Sequence, residues 1–135
     1  MDLDDRLAGT DTLAALDAAD AAAWSAIDPS LLATCRDRVA MLLGHEPTLA
    51  AMSDEDRSEL SAWPTAEQFS ETERAALDFT EQYIVDVTGL TDSQAERLRT
   101  HLGPVGLVDF VNAVLVVEQR MTLELALDGA LGVPR

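Results

Sequence analysis

Two histidines, one cysteine and an arginine set in an apolar stretch are the residues of this chain best equipped for chemistry. His45-Glu46 follows Gly44 at the end of an apolar helical pattern. A helix C-terminus stabilises positive charge, so an imidazole there is placed for proton transfer. Glu46 beside it supplies a second acid or base. The plainer role for such a histidine is an exposed cap that bonds the last carbonyls of its helix. His45-Glu46 also begins like a zinc-protease motif, but position 49 is Leu rather than His. With two histidines and one thiol, neither a metal site nor another cofactor is expected.

Arg120 is the second candidate. Between Val105 and Val117 only Asp109 and Asn112 are polar, and Glu118-Gln119-Arg120 then places charge in a nearly dry setting. Buried charge survives when it is paired and hydrogen-bonded. Arg120 therefore either pairs with a carboxylate such as Glu73, Glu118 or Glu124, or binds the carboxylate of a substrate. Asp109 and Asn112, three apart, share a helix face; they are expected to bond backbone ends and Arg120. His101, just before Gly103-Pro104, reads as a helix cap. Cys35 lies on the apolar face of its helix, where a thiol has a raised pKa and reacts slowly. As a lone cysteine it also excludes an internal disulfide and a Cys-x-x-Cys pair. Trp24, Trp63, Phe69, Phe79, Tyr83 and Phe110 read as core and interface anchors.

The chain that must position these residues has 135 of them, with 25 Asp and Glu, nine arginines and no lysine, for a formal charge of −16. That length suits one domain, residues 1–135, able to bury a core without staples. An apolar content of 47% argues against disorder. Nucleic acid and anionic membrane surfaces need a basic face, which this composition does not supply. No apolar run is expected to approach the roughly 20 residues of a membrane span. The first residues, Met1-Asp2-Leu3-Asp4-Asp5, are acidic where a signal peptide would be basic. These features lead to the expectation of a soluble, cytoplasmic protein. The acidity reads as a solvated, self-repelling surface; its functional alternative is an interaction module for a basic partner.

Helices are expected throughout. Residues 1–27 form an N-terminal acidic segment, with an Ala-rich amphipathic helix from Asp11 to about Ser25. Asp28-Pro29 starts the next helix, with an acceptor at the N-cap and proline at the first helical position. Gly44 closes it. A short polar helix follows Ser53, and Trp63-Pro64 breaks the chain. Ser70-Glu71-Thr72-Glu73 and Thr91-Asp92-Ser93-Gln94 are capping boxes. The first opens a helix of about 18 residues and the second a short one stopped by Gly103-Pro104. A last helix from about Gly106 to Leu127 is apolar over most of its circumference, which calls for cover by neighbouring subunits. The architecture is a single all-α bundle of about six helices.

Three stretches, taken in order and spacing, resemble the carboxymuconolactone decarboxylase and alkylhydroperoxidase D-like family. Arg38-Val39-Ala40-Met41-Leu42-Leu43-Gly44 resembles the helix that leads into its active site. Phe69 to Leu77 resembles the start of its next long helix, and Gln119-Arg120 its terminal Asn-Arg. The resemblance covers residues 28–130. It implies an all-helical subunit that assembles into homo-oligomers or with a related subunit, with its site near subunit contacts.

The redox constellation of that family is absent. Its peroxidases carry Glu, eleven residues, Cys-x-x-Cys, three residues, His. Laid on this sequence, the pattern places Ala33 at the glutamate, His45 and Thr48 at the cysteines and Met52 at the histidine. Thiol peroxidase activity is thus not expected. The resemblance instead implies a divergent member with a degenerate site, either a ligand-binding or a non-catalytic oligomeric subunit. The alternative is a non-redox decarboxylase or lactone-acting enzyme. In that reading His45 is the acid/base, Glu46 assists, and Arg120 holds the carboxylate of a small organic acid or lactone.

Overall fold

The computed structural model describes residues 2–130. Among them the elements are all helical: α1 Leu3–Arg6, α2 Asp11–Ala26, α3 Pro29–Leu43, α4 Glu46–Ala50, α5 Asp54–Ser61, α6 Glu71–Val85 and α7 Asp92–Ala130, with a 3-10 turn at Val87–Gly89.

The helix starts follow their capping chemistry. Asp28 accepts from Ser30 N ahead of Pro29, and Ser53 accepts from Asp56 N. Both capping boxes form: Ser70 with Glu73, and Thr91 with Gln94, whose side chain reaches back to Thr91 N at 3.0 Å. In each, two amides that a helix start would leave without partners are satisfied reciprocally. α6 is shorter than expected, at 15 residues. It ends at Val85 because the Asp86 carboxylate bonds Thr88 N and Thr88 Oγ1 and opens the 3-10 turn.

α7 bends at Gly103, whose φ of 78° and ψ of 170° lie outside helical geometry. Pro104 follows and restarts the helix, having no N–H to leave unpaired. The expected pair of helices is therefore two arms, 92–102 and 104–130, joined through one glycine.

α3, α6 and α7 pack against one another, and α2 lies along α7. Leu32, Cys35 and Val39 from α3, Leu77, Phe79 and Thr80 from α6, and Leu98, Phe110 and Val114 from α7 fill the centre. Phe79 and Phe110 meet edge to face, 6.1 Å between centroids, the arrangement that brings a positive ring edge to a negative face. Arg38 of α3 pairs with Glu81 of α6 at 2.6 Å, and Trp63 Nε1 donates to the other oxygen of that carboxylate. Arg74 donates to the carbonyls of Trp63, Pro64, Ala66 and Phe69, holding the α5–α6 connection in place of helix hydrogen bonds.

The C-terminal arm of α7 is less covered than the sequence suggested. Val105 and Val108 are 74% and 59% exposed. α7 is also long and apolar enough to cross a membrane, with a mean hydropathy of 1.5 over its most apolar 18 residues. The expectation that no segment reaches that length and apolarity does not hold, because isolated polar groups such as Asp109 interrupt the run without ending the helix. In this fold α7 packs against α2, α3 and α6, as the core helix of a bundle does.

The bend at Gly103 yields a first prediction. Its backbone lies in a region open essentially to glycine, so Gly103→Ala should cost about 1–3 kcal/mol although a Cβ there meets no atom within 4 Å. A urea titration would show the loss as a lower midpoint with an unchanged slope; an unchanged midpoint would mean the arms can be joined without that strain.

Candidate functional site

The corner between α3 and α4 sets the site. Gly44, at φ 74°, lets its own amide and that of His45 both bond to Ala40 O, at 2.8 and 2.9 Å. This left-handed turn satisfies the last carbonyls of α3 and reverses the chain. His45 then becomes the N-cap residue of α4, with Pro47 in the first turn, but its side chain does not cap that helix. It turns inward and is 6% exposed.

Both imidazole nitrogens have partners. Nδ1 lies 2.8 Å from Thr48 Oγ1, and Nε2 lies 2.5 Å from Glu124 Oε2 on the C-terminal arm of α7. The first pair joins the N-cap to the third residue of α4, positions that face each other across a first turn. The second spans 79 residues of sequence. The other oxygen of Glu124 stands 4.0 Å from Arg120 Nε, one turn earlier on α7. Arg120 in turn binds Asp4 at 2.9 Å and Asp17 at 3.3 Å, so the network reaches α1 and α2.

These groups form one wall of a cleft of about 750 Å³. Its other lining residues include Arg36 and Asp37 of α3, Asp56 of α5 and the α1 residues Asp4 and Arg6. A smaller recess of about 120 Å³ shares His45, Thr48, Glu124, Arg120 and Arg36 and adds Asp20, Trp24, Val117 and Met121. Arg36 stacks over the Trp24 ring at 5.3 Å and bonds Asp37 at 3.2 Å. Burial pushes the Asp37 carboxyl above its ordinary value; Arg36 pulls it back, and the nearby Asp56 charge adds to the rise. Six carboxylates and three guanidinium groups line the cleft, which is therefore acidic.

The residues singled out from sequence fall as follows. His45 lies on the wall of the cleft and is buried rather than an exposed cap. Glu46 is exposed on the first turn of α4 and lies outside the cleft lining; the carboxylate that meets His45 is Glu124. Arg120 lines the cleft, and of the three carboxylates considered for it only Glu124 is a partner, joined by Asp4 and Asp17. Glu73 is taken up in its capping box, and Glu118 accepts from Thr122. Asp109 and Asn112 are not among the partners of Arg120 and line no part of this cleft. His101 does not cap the first arm of α7; its Nδ1 lies 3.1 Å from Thr72 Oγ1 of α6. Among the described residues, no three His, Cys, Asp or Glu are grouped to hold a metal ion.

Thr48, Glu124, Arg36 and Asp37 were not singled out as a set. The i, i+4 spacing of Arg120 and Glu124 does place them on one helix face, but nothing local to either strand of sequence ties Glu124 to His45. Compared with protein-family models, with curated proteins and with solved structures, the chain gives no match.

Cys35 lies outside the cleft lining, buried against Thr80. Burial pushes its thiol up to about 12; the neighbouring Thr80 hydroxyl opposes the rise and the Glu73 charge adds to it. A protonated, covered thiol is a poor nucleophile. The folded chain should therefore be inert to Ellman's reagent at pH 8 and react once unfolded; rapid labelling of the folded chain would contradict this burial. The linkage has a definite sign. The folded thiol holds its proton more tightly than the unfolded one, so this contribution to stability is present below about pH 9 and lost as pH rises towards 12. The alkaline fall in denaturation midpoint should be shallower in Cys35→Ala.

Proposed function

We propose that this chain is a divergent relative of the carboxymuconolactone decarboxylase-like proteins that transfers protons at His45, without thiol or metal chemistry, on a small organic molecule bound in the cleft. The observation that carries the reading is the buried imidazole fixed between Thr48 and Glu124 on the wall of a ligand-sized cavity. A carboxylate on one nitrogen fixes the tautomer and ring orientation, which leaves the imidazole a defined role in moving a proton. The covered thiol of Cys35 supports the absence of peroxidase activity.

Two details reshape the role of Arg120. Its guanidinium faces Asp4, Asp17 and Glu124, and the cleft around it carries an excess of negative charge. An incoming carboxylate would have to displace one of these partners and enter against that field. Arg120 serves in this reading as the group that orients Glu124, and the preferred ligand is a neutral molecule such as a lactone or ester rather than a free acid. The uncovered valines of α7 support assembly with further copies of the chain; a cytoplasmic location remains part of the same proposal.

The test is proton exchange at carbon, followed by nuclear magnetic resonance in deuterated water with a panel of small lactones and keto esters. The intact chain should accelerate exchange in at least one member, and His45→Gln should reduce the rate by about 100-fold or more, the ordinary worth of a positioned base. Glu124→Gln should lower it less, because the imidazole stays but its orientation loosens. Exchange that is indifferent to His45→Gln, or absent across the panel at millimolar ligand, would overturn the reading, as would thiol-dependent reduction of peroxide.

A further inference from the structure

The three groups Thr48, His45 and Glu124 form a hydroxyl–imidazole–carboxylate chain, with 2.8 Å between the first pair and 2.5 Å between the second. That is the order of parts by which a base activates a weak oxygen nucleophile and a third group orients the base. In its Nε2–H tautomer the imidazole donates to Glu124 and leaves the Nδ1 lone pair to accept from the Thr48 hydroxyl. Thr48 lines both the cleft and the recess beside it.

The geometry points to a second activity of the proposed His45 site: Thr48 is a nucleophile that accepts a short acyl group from a neutral ester. This rests on the reading of His45 as the proton-transfer group. In the first step Thr48 Oγ bonds to the ester carbonyl carbon as its proton passes to His45 Nδ1. The tetrahedral adduct collapses, the bond from the carbonyl carbon to the alkoxy oxygen breaks, and the departing alcohol takes the proton from His45. Water then adds to the acyl carbon and gives a proton to His45. The Thr48 oxygen leaves and recovers that proton, so the sum is ester plus water to acid plus alcohol.

The recess limits the acyl group. Trp24, Val117 and Met121 form the apolar part of its wall, beside Asp20 and the charged groups it shares with the cleft, and about 120 Å³ accommodates roughly four non-hydrogen atoms at the approximately 30 Å³ that a water occupies in the liquid. Acetyl and propionyl groups fit that space. Arg36, which lines cleft and recess, supplies the cation for the developing oxyanion. The acidic mouth disfavours anionic esters and favours release of the acid product.

The chain gives an unusually direct test, because it contains no lysine to take up acyl groups nonspecifically. Incubation with 4-nitrophenyl acetate and propionate, quenched in acid and followed by intact-mass and peptide mass spectrometry, should show a single acyl group on Thr48. Thr48→Val, which keeps the shape and removes the hydroxyl, should abolish the adduct, while Thr48→Ser retains it. Glu124→Gln should slow its formation at least tenfold. A 4-nitrophenyl octanoate should acylate at least tenfold more slowly than the acetate.

An acyl group found on His45, the N-terminus or Tyr83, or no adduct at all, would overturn the nucleophile assignment. Either result leaves proton exchange at His45 to be judged by its own loss in His45→Gln, so the two readings fail separately. Adduct formation on Thr48 that persists undiminished in His45→Gln would overturn the relay.

Discussion

The carboxylate of Glu124 is the point on which the arrangement depends. One oxygen meets His45 at the α3–α4 corner and the other faces Arg120, which carries the connection on to Asp4 and Asp17. A single side chain thus ties α7 to the corner that bears the imidazole and to the N-terminal helices that cover it. Such a group is costly to take from water and holds only if its partners stay in place. Loss of any one partner would leave charge uncompensated in a partly covered setting, so the geometry at His45 is coupled to the docking of α1 and α2. Arg6, which pairs with Asp128 one turn beyond Glu124, reinforces that docking.

The charge balance of the whole chain works in the same direction. All eight arginines among the described residues have carboxylate or carbonyl partners: three line the cleft, Arg38 and Arg74 fasten the core helices and their connection, Arg57 holds the Leu49 carbonyl, and Arg97 and Arg99 sit on α7 beside Glu71, Asp78 and Glu96. With the cations committed internally, the surplus of carboxylates is left to water. A field of that sign discourages anions over distances of the order of a Debye length, about 8 Å at physiological salt. This is why Arg120, in a position that so often makes a carboxylate anchor, is better understood here as part of the scaffold.

Local rules in the sequence located the ends of helices and missed what joins them. Asp28-Pro29, the two capping boxes, Gly44 and Gly103-Pro104 all mark boundaries because the chemistry that satisfies a terminal amide or permits a left-handed turn lies within three or four residues. α1 and α4, at four and five residues, are too short to show an apolar period. His45 stood out by residue type, yet its burial depends on α7 closing over the corner. The pairing with Glu124 and the redirection of His101 to Thr72 are products of packing between distant segments. No period or cap encodes them. Glu46 adjoins His45 in sequence, but neighbours in sequence at a helix start point in different directions, and the residue that faces an N-cap lies three positions on.

That last geometry explains why a histidine and a threonine at this spacing form a unit. An N-cap residue lacks helical dihedrals and its side chain leans over the first turn, towards the third residue. In most helices the N-cap side chain then bonds the backbone amide there. His45 does not; Thr48 offers its hydroxyl instead, and Glu124 draws the far side of the ring into the bundle. The imidazole is therefore constrained at both nitrogens by groups on different elements, and rotation about its side-chain bonds would break one contact or the other. A ring held in this way has lost, in the folded state, the freedom that a surface histidine would have to give up on meeting a ligand. Preorganisation of that kind lowers the entropy needed to reach a reactive arrangement, and it is obtained here from the turn at Gly44 and one carboxylate of α7.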